Sequence, residues 1–228
     1  MKGAIHPISQ IYRVAVATLG DMGFDIISAP EVDTVWNNFD SLRLTADHPA
    51  RLGHKEFSLT NGKILRTHIS NTQMYALHHK QPPLRVMYMG KSYRNEATDA
   101  SHEVVFNQLE CLAIEENLSI ANLLSVLDTF VKRMFGQDVK YRFRPHLFPF
   151  TEPSIEVDIW HDGKWTEILG SGMVHPDVLS NIGVDPSRYR GLAFAMGIER
   201  LAFIKWGTDV RDFHANKMAF LNQFKERG

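Results

Sequence analysis

Charged and hydrogen-bonding side chains are concentrated at the turn of a predicted hairpin, in the segment YMGKSYRNEATDASHEVVFNQLECLAI that runs from Tyr88 to Ile114. Arg94 stands where the first strand ends, and Glu96 follows it in the turn. An arginine at that place supplies a bidentate fork for phosphate oxygens, and a carboxylate nearby accepts from an amine or orients a base. The segment therefore fits a turn that grips a polyphosphate; a solvated turn on an edge hairpin is the alternative interpretation.

The second strand of this hairpin carries Phe106, Gln108 and Glu110 at alternating positions. Alternation puts these three side chains on one face of the strand, so a ring and two polar groups line a common floor. Further along, the segment GLAFAMGIERLAF places Gly197 at a strand end, directly before a helix whose first turn contains Arg200. A glycine there allows close approach of a flat ligand, and the arginine can reach across the ligand's face or to a phosphate.

The composition excludes several classes of protein. The chain has 228 residues with 25 Lys and Arg against 26 Asp and Glu, a net charge of −1 that does not favour a dedicated nucleic-acid binder. Cys111 is the single cysteine, which excludes an internal disulfide framework and a zinc finger and suits a reducing cytoplasm. Because no stretch approaches 18 apolar residues, a soluble protein is predicted.

Periodicity predicts an α+β fold. Apolar residues from Ile8 to Leu19 recur at helical spacing up to Gly20, and a helix from Ile120 has Ser119 as its cap and Gly136 as its stop. The segment TQMYALHHK is a predicted short helix capped by Ser70 or Asn71, and TVWNNFDSLRLTADHPARLGH is a predicted loop. The remaining pattern predicts a largely antiparallel sheet of about six strands flanked by helices, closed by IERLAFIKWG and FHANKMAFLNQFKERG as helices.

Eight segments in order along the chain resemble one family: HPISQIY, NNFDSL, DHPAR, RTHIS, YRNEATDASHEVVFNQLE, RPHLFPFTEPSIEVD, GSGMVHPDVL and AMGIERLAF. They are similar to the catalytic α subunit of phenylalanyl-tRNA synthetase, a class II aminoacyl-tRNA synthetase. In this comparison Pro30 marks motif 1, the hairpin is motif 2 and AMGIERLAF is motif 3. The resemblance implies the class II catalytic fold over residues 1–228 as one catalytic domain, without the family's N-terminal coiled-coil arm or an anticodon-binding domain.

The resemblance also implies the residues of the site. The implied amino-acid site is His68, Ser70, Gln73, Gln108, Glu110, Phe148, Phe150, Ala195 and Gly197. The implied ATP site is Arg94, Glu96, His102, Phe106 and Arg200, with Arg94 and Arg200 as the catalytic pair, and Glu152 is the implied Mg²⁺ ligand.

The chemistry of these residue types agrees with the implied roles. Glu110 can pair with an ammonium group, and the rings of Phe148 and Phe150 can meet a substrate ring edge to face. Each assignment has a structural alternative: two buried core rings for the phenylalanines, a satisfied structural histidine for His102, and an exposed turn carboxylate for Glu152.

The resemblance implies activation of phenylalanine by ATP and transfer of the aminoacyl group to tRNA(Phe), with a β subunit or a second copy bound through motif 1. Two other hypotheses remain open: a paralogue that adenylates an amino acid for a non-tRNA acceptor, and a non-catalytic synthetase-like binding module. The segment HKEF, from His54 to Phe57, departs from the family's acidic pattern and favours the paralogue. The presence of Arg94, Glu96 and Arg200 weighs against the binding module.

Overall fold

A seven-stranded sheet forms the centre of the protein in a computed structural model that describes residues 4–52, 56–95, 103–215 and 217–224. The strand order is β1-β5-β6-β10-β9-β8-β7, and a separate small sheet has the order β2-β4-β3. The strands are β1 (Asp25–Ile27), β2 (Val32–Asp33), β3 (Phe57–Ser58), β4 (Ile64–Leu65), β5 (Leu84–Tyr93), β6 (Val105–Glu115), β7 (Tyr141–Phe148), β8 (Thr151–His161), β9 (Lys164–Val174) and β10 (Arg190–Gly197).

Helices cover one face of the large sheet, and the α+β prediction is confirmed. Here α1, α5 and α7 pack on one another and on the sheet around a core that includes Leu127, Phe130 and Phe194. The helices are α1 (Pro7–Gly20), α2 (Val35–Asn38), α3 (Pro49–Leu52), α4 (Ala76–His79), α5 (Ile120–Phe135), α6 (Pro176–Ile182), α7 (Ile198–Trp206), α8 (Val210–His214) and α9 (Met218–Leu221). No helix in the described ranges has both the length and the apolar character needed to span a bilayer.

The sheet differs from the prediction in size and direction. It has seven strands rather than about six, and β1 runs parallel to β5, with Ile26 beside Met87. The other strand pairs of this sheet are antiparallel. The parallel pair arises because the chain between β1 and β5 is a long crossover that carries the small sheet, so it enters β5 in the direction of β1.

The sequence predicted one helix cap correctly and another wrongly. Ser119 caps α5 as predicted. Its side-chain oxygen accepts from Asn122 N, and the Asn122 side-chain oxygen accepts from Ser119 N. The predicted cap at Ser70 or Asn71 is wrong, because the segment Ile69–Tyr75 is a 3-10 helix without a side-chain cap. Ser70 instead donates to Glu110, and Asn71 donates to Asp33 over 2.7 Å.

Two further segments differ from the prediction: a predicted loop contains helices, and a predicted helix is interrupted. The predicted loop after β2 contains α2, a 3-10 turn at Asp40–Leu42 and α3, with residues 53–55 outside the described part. The predicted closing helix is interrupted: α8 and α9 are separate, and a 3-10 turn follows at Asn222–Phe224. His54 and Lys55 of the HKEF segment lie outside the described residues.

A buried arginine ties the segment after β1 to the hairpin strand β5. Arg66 is 2% exposed, and its guanidinium donates to the carbonyl oxygens of Lys91 over 2.8 Å and Ala29 over 3.3 Å. This guanidinium lies directly against Gly90, where a side chain would overlap it. The end of β5, where Arg94 follows, is thus held against the rest of the fold.

Gly90→Ala is expected to lower the free energy of unfolding by about 1–3 kcal/mol, because the added methyl displaces the guanidinium and leaves buried groups without partners. Urea denaturation, monitored by circular dichroism, measures this change in the free energy of unfolding. Gly20→Ala is the matched control, since Gly20 ends α1 and has no atom within 4 Å of the position its Cβ would take. Equal stability of the two variants would contradict the role assigned to Arg66.

Candidate active site

A cavity of about 630 Å³ opens on the face of the sheet opposite α1 and α5. Its lining includes twelve of the fifteen residues singled out in the sequence, and Glu96 and His102 lie outside the described part of the chain. The twelve are His68, Ser70, Gln73, Arg94, Phe106, Gln108, Glu110, Phe148, Phe150, Ala195, Gly197 and Arg200.

The predicted floor is formed by the start of β6 and the end of β10. Phe106, Gln108 and Glu110 all line the cavity, as the alternation of the strand predicts. The antiparallel register sets Ala195 beside Glu110 and Gly197 beside Gln108. These two small residues of β10 leave space above the polar side chains of β6.

A buried carboxylate stands at one end of the cavity. Glu110 is 1% exposed; the Ser70 hydroxyl donates to one of its oxygens and Gln73 Nε2 donates to the other over 2.5 Å. Burial raises the pKa of Glu110 to about 7, although the two hydrogen bonds pull it downward. The group is therefore poised between its acid and carboxylate forms near neutral pH.

Gln108 and His68 complete this polar end. The side-chain oxygen of Gln108 accepts from Ser92 Oγ over 2.7 Å and from Ile69 N over 3.2 Å, which fixes the amide's orientation. Burial lowers the pKa of His68 to about 4, and the charges of Arg94 and Arg66 lower it further in the same direction. The imidazole is accordingly neutral at pH 7.

Aromatic rings form the wall of the cavity beyond Glu110. Phe148 and Phe150 are stacked, with centroids 5.4 Å apart and an interplanar angle of 8°. The centroid of the His146 ring is 4.3 Å from that of Phe148, and His146 Nδ1 is 3.3 Å from a Glu156 oxygen. Gly170 faces this ring, and a Cβ there would lie 2.8 Å from Phe148 Cζ. Both phenylalanine rings line the cavity and are only partly buried.

Two arginines mark the other end of the cavity. Arg94 packs its guanidinium 4.9 Å from the centroid of Phe106, and its Nε donates to Thr67 O over 3.0 Å. Arg200, in the first turn of α7, is 3.3 Å from a Glu167 oxygen. The arrangement offers cations for phosphate oxygens beside a ring on which a base can stack.

Sequence reasoning did not assign four carboxylates that line the cavity, namely Glu103, Glu156, Glu167 and Glu199. Glu156 and Glu167 are the two that lie on strands of the sheet. Both lie on predicted strands, β8 and β9, and alternation along those strands was the signal that would have put them on the inner face. Glu156 is 7% exposed and paired with Arg144 and His146, whereas the Glu167 side chain is 42% exposed and paired with Arg200. Glu167 is thus the more accessible of these two carboxylates, and it lies beside Arg200.

Glu152, the residue implied to bind Mg²⁺, lies elsewhere. It lines a second cavity at the start of β8, and its side chain is 80% exposed. One of its carboxylate oxygens is 3.9 Å from His175 Nε2. Within the described ranges, no three His, Cys, Asp or Glu side chains cluster as a metal site.

The fold and the cavity define a class of protein, and comparison with known families agrees. Residues 1–224 match the family described as tRNA synthetases class II core domain (F). The chain belongs to this family of class II tRNA synthetase core domains.

The relatives narrow the comparison to one kind of subunit. The chain is 44% identical over 225 residues to the phenylalanine–tRNA ligase alpha subunit of Proteus mirabilis, covering 98% of this chain and 68% of that protein. The alpha subunit of Vibrio cholerae matches equally, and that of Aeromonas hydrophila is 43% identical over the same span. The family resemblance predicted from the sequence is confirmed.

Solved structures agree on the fold alone. A pyrrolysyl-tRNA synthetase from Desulfitobacterium hafniense superposes with a TM-score of 0.72 at 17% identity, covering 96% of this chain and 77% of that one. A second structure of a pyrrolysyl-tRNA synthetase from the same organism gives 0.68 at 18% identity, covering 90% and 71%. The predicted class II synthetase fold is thereby confirmed.

Proposed function

We propose that the chain activates phenylalanine with ATP to form phenylalanyl-adenylate and transfers the phenylalanyl group to tRNA(Phe). The observation that carries this proposal is a cavity that has a buried acid and two stacked phenylalanines at one end and two arginines at the other. Such a cavity has the donors, acceptors and rings for an aromatic amino acid beside a nucleoside triphosphate. The names of the relatives support the choice of phenylalanine and tRNA.

The amino acid would lie between β6 and the aromatic wall. Glu110 in its ionised form pairs with the ammonium group, and Ser70 and Gln73 hold that carboxylate in place. His68 and Gln108 face the polar end of the substrate. The phenyl ring packs on Phe148 and Phe150, and Ala195 and Gly197 leave room for its para position.

Gly170→Ala is expected to raise the KM for phenylalanine about tenfold, because a methyl 2.8 Å from Phe148 forces the ring into the substrate's space. The KM for ATP should stay unchanged, since Phe148 faces the other end of the cavity. Steady-state exchange kinetics at varied phenylalanine and ATP separate the two constants. An equal rise of both would contradict a local effect on the aromatic wall.

ATP would occupy the arginine end. Its adenine stacks on Phe106, whose ring Arg94 approaches at 4.9 Å, and the Arg94 guanidinium binds the α-phosphate. Arg200 reaches the γ-phosphate side. Glu96 near the adenine amine and His102 toward the outer phosphates remain proposed from the sequence.

The reaction needs positioning and charge more than acid–base catalysis. One carboxylate oxygen of phenylalanine attacks the α-phosphorus in line, and the bond from that phosphorus to the bridging oxygen breaks as pyrophosphate leaves. Arg94 and Arg200 stabilise the charge that builds on the phosphoryl oxygens. The 2′-hydroxyl at the end of tRNA then attacks the carbonyl carbon of the adenylate, and AMP leaves.

Mg²⁺ fits the acidic side chains of the arginine end. Magnesium is usually held by one or two carboxylates together with substrate phosphates, and Glu167 offers an accessible carboxylate next to Arg200. When bound, the ion neutralises phosphate charge and favours departure of pyrophosphate. Glu152 remains the Mg²⁺ ligand proposed from the sequence resemblance, at a site shared with a partner subunit.

We also propose assembly with a β subunit through the motif 1 surface. Ile26 on the edge strand β1 is 53% exposed and Trp36 on α2 is 47% exposed. Apolar side chains that protrude at a sheet edge are typical of a subunit contact. The name alpha subunit, carried by the relatives, supports a β subunit as the partner, with a second copy as the alternative.

Amino-acid-dependent exchange of pyrophosphate into ATP tests the proposed function. The purified chain is assayed with each standard amino acid, alone and with a phenylalanine–tRNA ligase β subunit, and a reaction without amino acid is the control. Exchange with phenylalanine supports the proposal, and charging of tRNA(Phe) completes it. Exchange only with another amino acid identifies the paralogue, and absence of exchange in all mixtures overturns catalysis.

A further inference from the structure

A buried carboxylate next to Arg200 joins the helix α7 to the floor strand β6. Glu199 is 5% exposed, and its oxygens accept from Asn107 N over 2.9 and 3.0 Å and from Asn107 Nδ2 over 2.7 Å. Asn107 stands between Phe106 and Gln108, the residues proposed to face adenine and the amino acid. This bond set therefore fixes the register between Arg200 and the floor of the cavity.

A residue of a third element, the helix α8, also contacts Glu199. His214, the last residue of α8, has its Nε2 3.1 Å from the Glu199 oxygen Oε1, which also accepts from the Asn107 side chain. The His214 side chain is about one-third exposed, whereas the Glu199 side chain is 7% exposed. His214 thus connects the buried carboxylate to solvent, from outside the set of residues proposed to touch either substrate.

The structure assigns His214 as a positioning residue that acts through Glu199 on ATP binding, so that the affinity for ATP falls when this histidine loses its charge. This inference rests on the proposed function to the extent that ATP occupies the arginine end of the cavity. Charged imidazolium holds the Glu199 carboxylate more tightly than neutral imidazole does. Loosening that bond releases Asn107 and, with it, the relative position of Phe106 and Arg200.

The charges around His214 set the direction of its titration. The hydrogen bond to Glu199 raises the pKa of His214 above its usual 6.5, and the charges of Glu199 and Glu103 act in the same direction. Burial and Lys91 on β5 act against them. The helix α8 also carries Asp212 and Arg211, and the Arg211 guanidinium is 2.6 Å from an oxygen of the N-cap residue Asp209.

The sign of the pH effect follows from the raised pKa. The ion pair is fully present below 6.5 and is lost as the pH rises through the higher pKa of the folded state. The contribution of His214 to ATP binding should therefore be larger at pH 6.0 than at pH 8.5. A hydrogen bond to a charged group contributes about 1 kcal/mol more than a neutral hydrogen bond, which corresponds to about a fivefold change in affinity.

Isothermal titration of Mg-ATP into the protein, without amino acid, from pH 6.0 to 8.5 tests the inference. The comparison is between the wild type, His214→Gln and His214→Phe, with His79→Gln as the matched control. His79 lies on α4, pairs with Asp25 at 3.5 Å and does not line the cavity. Because ATP itself titrates in this range, the measured quantity is the ratio of each variant's Kd to that of the wild type at each pH.

We expect His214→Gln to bind about fivefold more weakly than the wild type at pH 6.0 and equally at pH 8.5, and His214→Phe to be weaker throughout. The His79→Gln ratio should stay at one. A His214→Gln ratio that does not change with pH would overturn the inference, and so would an unchanged affinity in His214→Phe.

These outcomes are separable from those of the exchange assay. If the protein catalyses exchange with phenylalanine but the His214→Gln ratio of Kd values does not change with pH, only the role proposed for His214 is contradicted. A pH-dependent ratio in a protein that exchanges with no amino acid removes only the proposed reaction. Thermal melting of each variant at both pH values confirms that the compared proteins are folded.

Discussion

Arg94→Ala should reduce the rate of phenylalanyl-adenylate formation by about 10²–10³-fold, because removing one preorganised donor from the developing transition state costs about this much. Arg94 follows β5 and is held by Thr67 O at 3.0 Å and by the Phe106 ring. These contacts fix the guanidinium before the substrate arrives. The measurement is single-turnover adenylate formation at saturating ATP and phenylalanine.

The fold of the Arg94→Ala protein should be intact, because Arg94 and Phe106 are partly buried residues of the cavity lining and belong to neither hydrophobic core cluster. Arg188→Ala serves as the matched control: it removes an exposed arginine whose partners are Glu116 and the Tyr189 ring, outside the lining of the cavity. Arg94→Lys keeps the charge but not the bidentate fork, and an intermediate rate is expected. Near-normal adenylate formation by Arg94→Ala would remove Arg94 from the reaction.

Glu110→Gln should weaken the binding of phenylalanine by about 30-fold or more, because a neutral amide replaces the carboxylate that pairs with the ammonium group. Truncating a buried charge partner typically costs about 2–5 kcal/mol, a loss of roughly 30-fold to several thousand-fold in affinity. Binding of phenylalanine to the protein, measured by calorimetry at pH 8, gives the two dissociation constants. ATP binding is the internal control, since Glu110 lies at the opposite end of the cavity from Arg200.

The same carboxylate predicts a pH effect on the wild type. The pKa of Glu110 is raised from 4.5 to about 7 in the folded protein, so an ammonium ligand must displace its proton at lower pH. We expect phenylalanine affinity to fall as the pH drops below 7, with proton release that varies the observed heat between buffers. Affinity that stays constant from pH 8 to pH 5.5 would contradict the role of Glu110.

Stability should change in the opposite direction to function. A carboxyl group with a raised pKa binds more protons in the folded than in the unfolded state, so its contribution to stability falls as the pH rises from 4.5 to about 7. At pH 8 the free energy of unfolding of Glu110→Gln, measured with urea, should therefore exceed that of the wild type by up to about 3 kcal/mol. At pH 4.5 the two proteins should have nearly the same stability. Equal stability at both pH values would mean that burial of the charge is not costly.

Local patterns predicted those elements whose signals come from sequence neighbours. The helix α5 has its cap at Ser119 and its stop at Gly136, and both act within a few residues of the element they bound. The strand alternation of Phe106, Gln108 and Glu110 likewise needs only backbone geometry to put the three side chains on one face. The assignment of these residues to a synthetase site came from the order of eight matching segments, because no single residue type was specific enough.

Contacts between distant residues decided what local patterns could not. Ser70 and Asn71 have the right chemistry for a helix cap, yet their partners are Glu110 and Asp33, which only the folded chain brings near. The parallel pairing of β1 with β5 depends on how a long crossover returns to the sheet. The bond between His214 and Glu199 likewise joins two helices that sequence reasoning treated separately.

By itself, the sequence determined the α+β class, the positions of the long helices and strands, and the kinds of side chain available to the site. The tertiary structure alone decided the depth at which Glu110 is buried, the stacking of Phe148 on Phe150 and the pairing of Glu167 with Arg200. The physical reason is that helix and strand signals arise from neighbours along the chain. The pKa of a carboxylate and the position of a ring arise instead from burial and from partners far away in sequence.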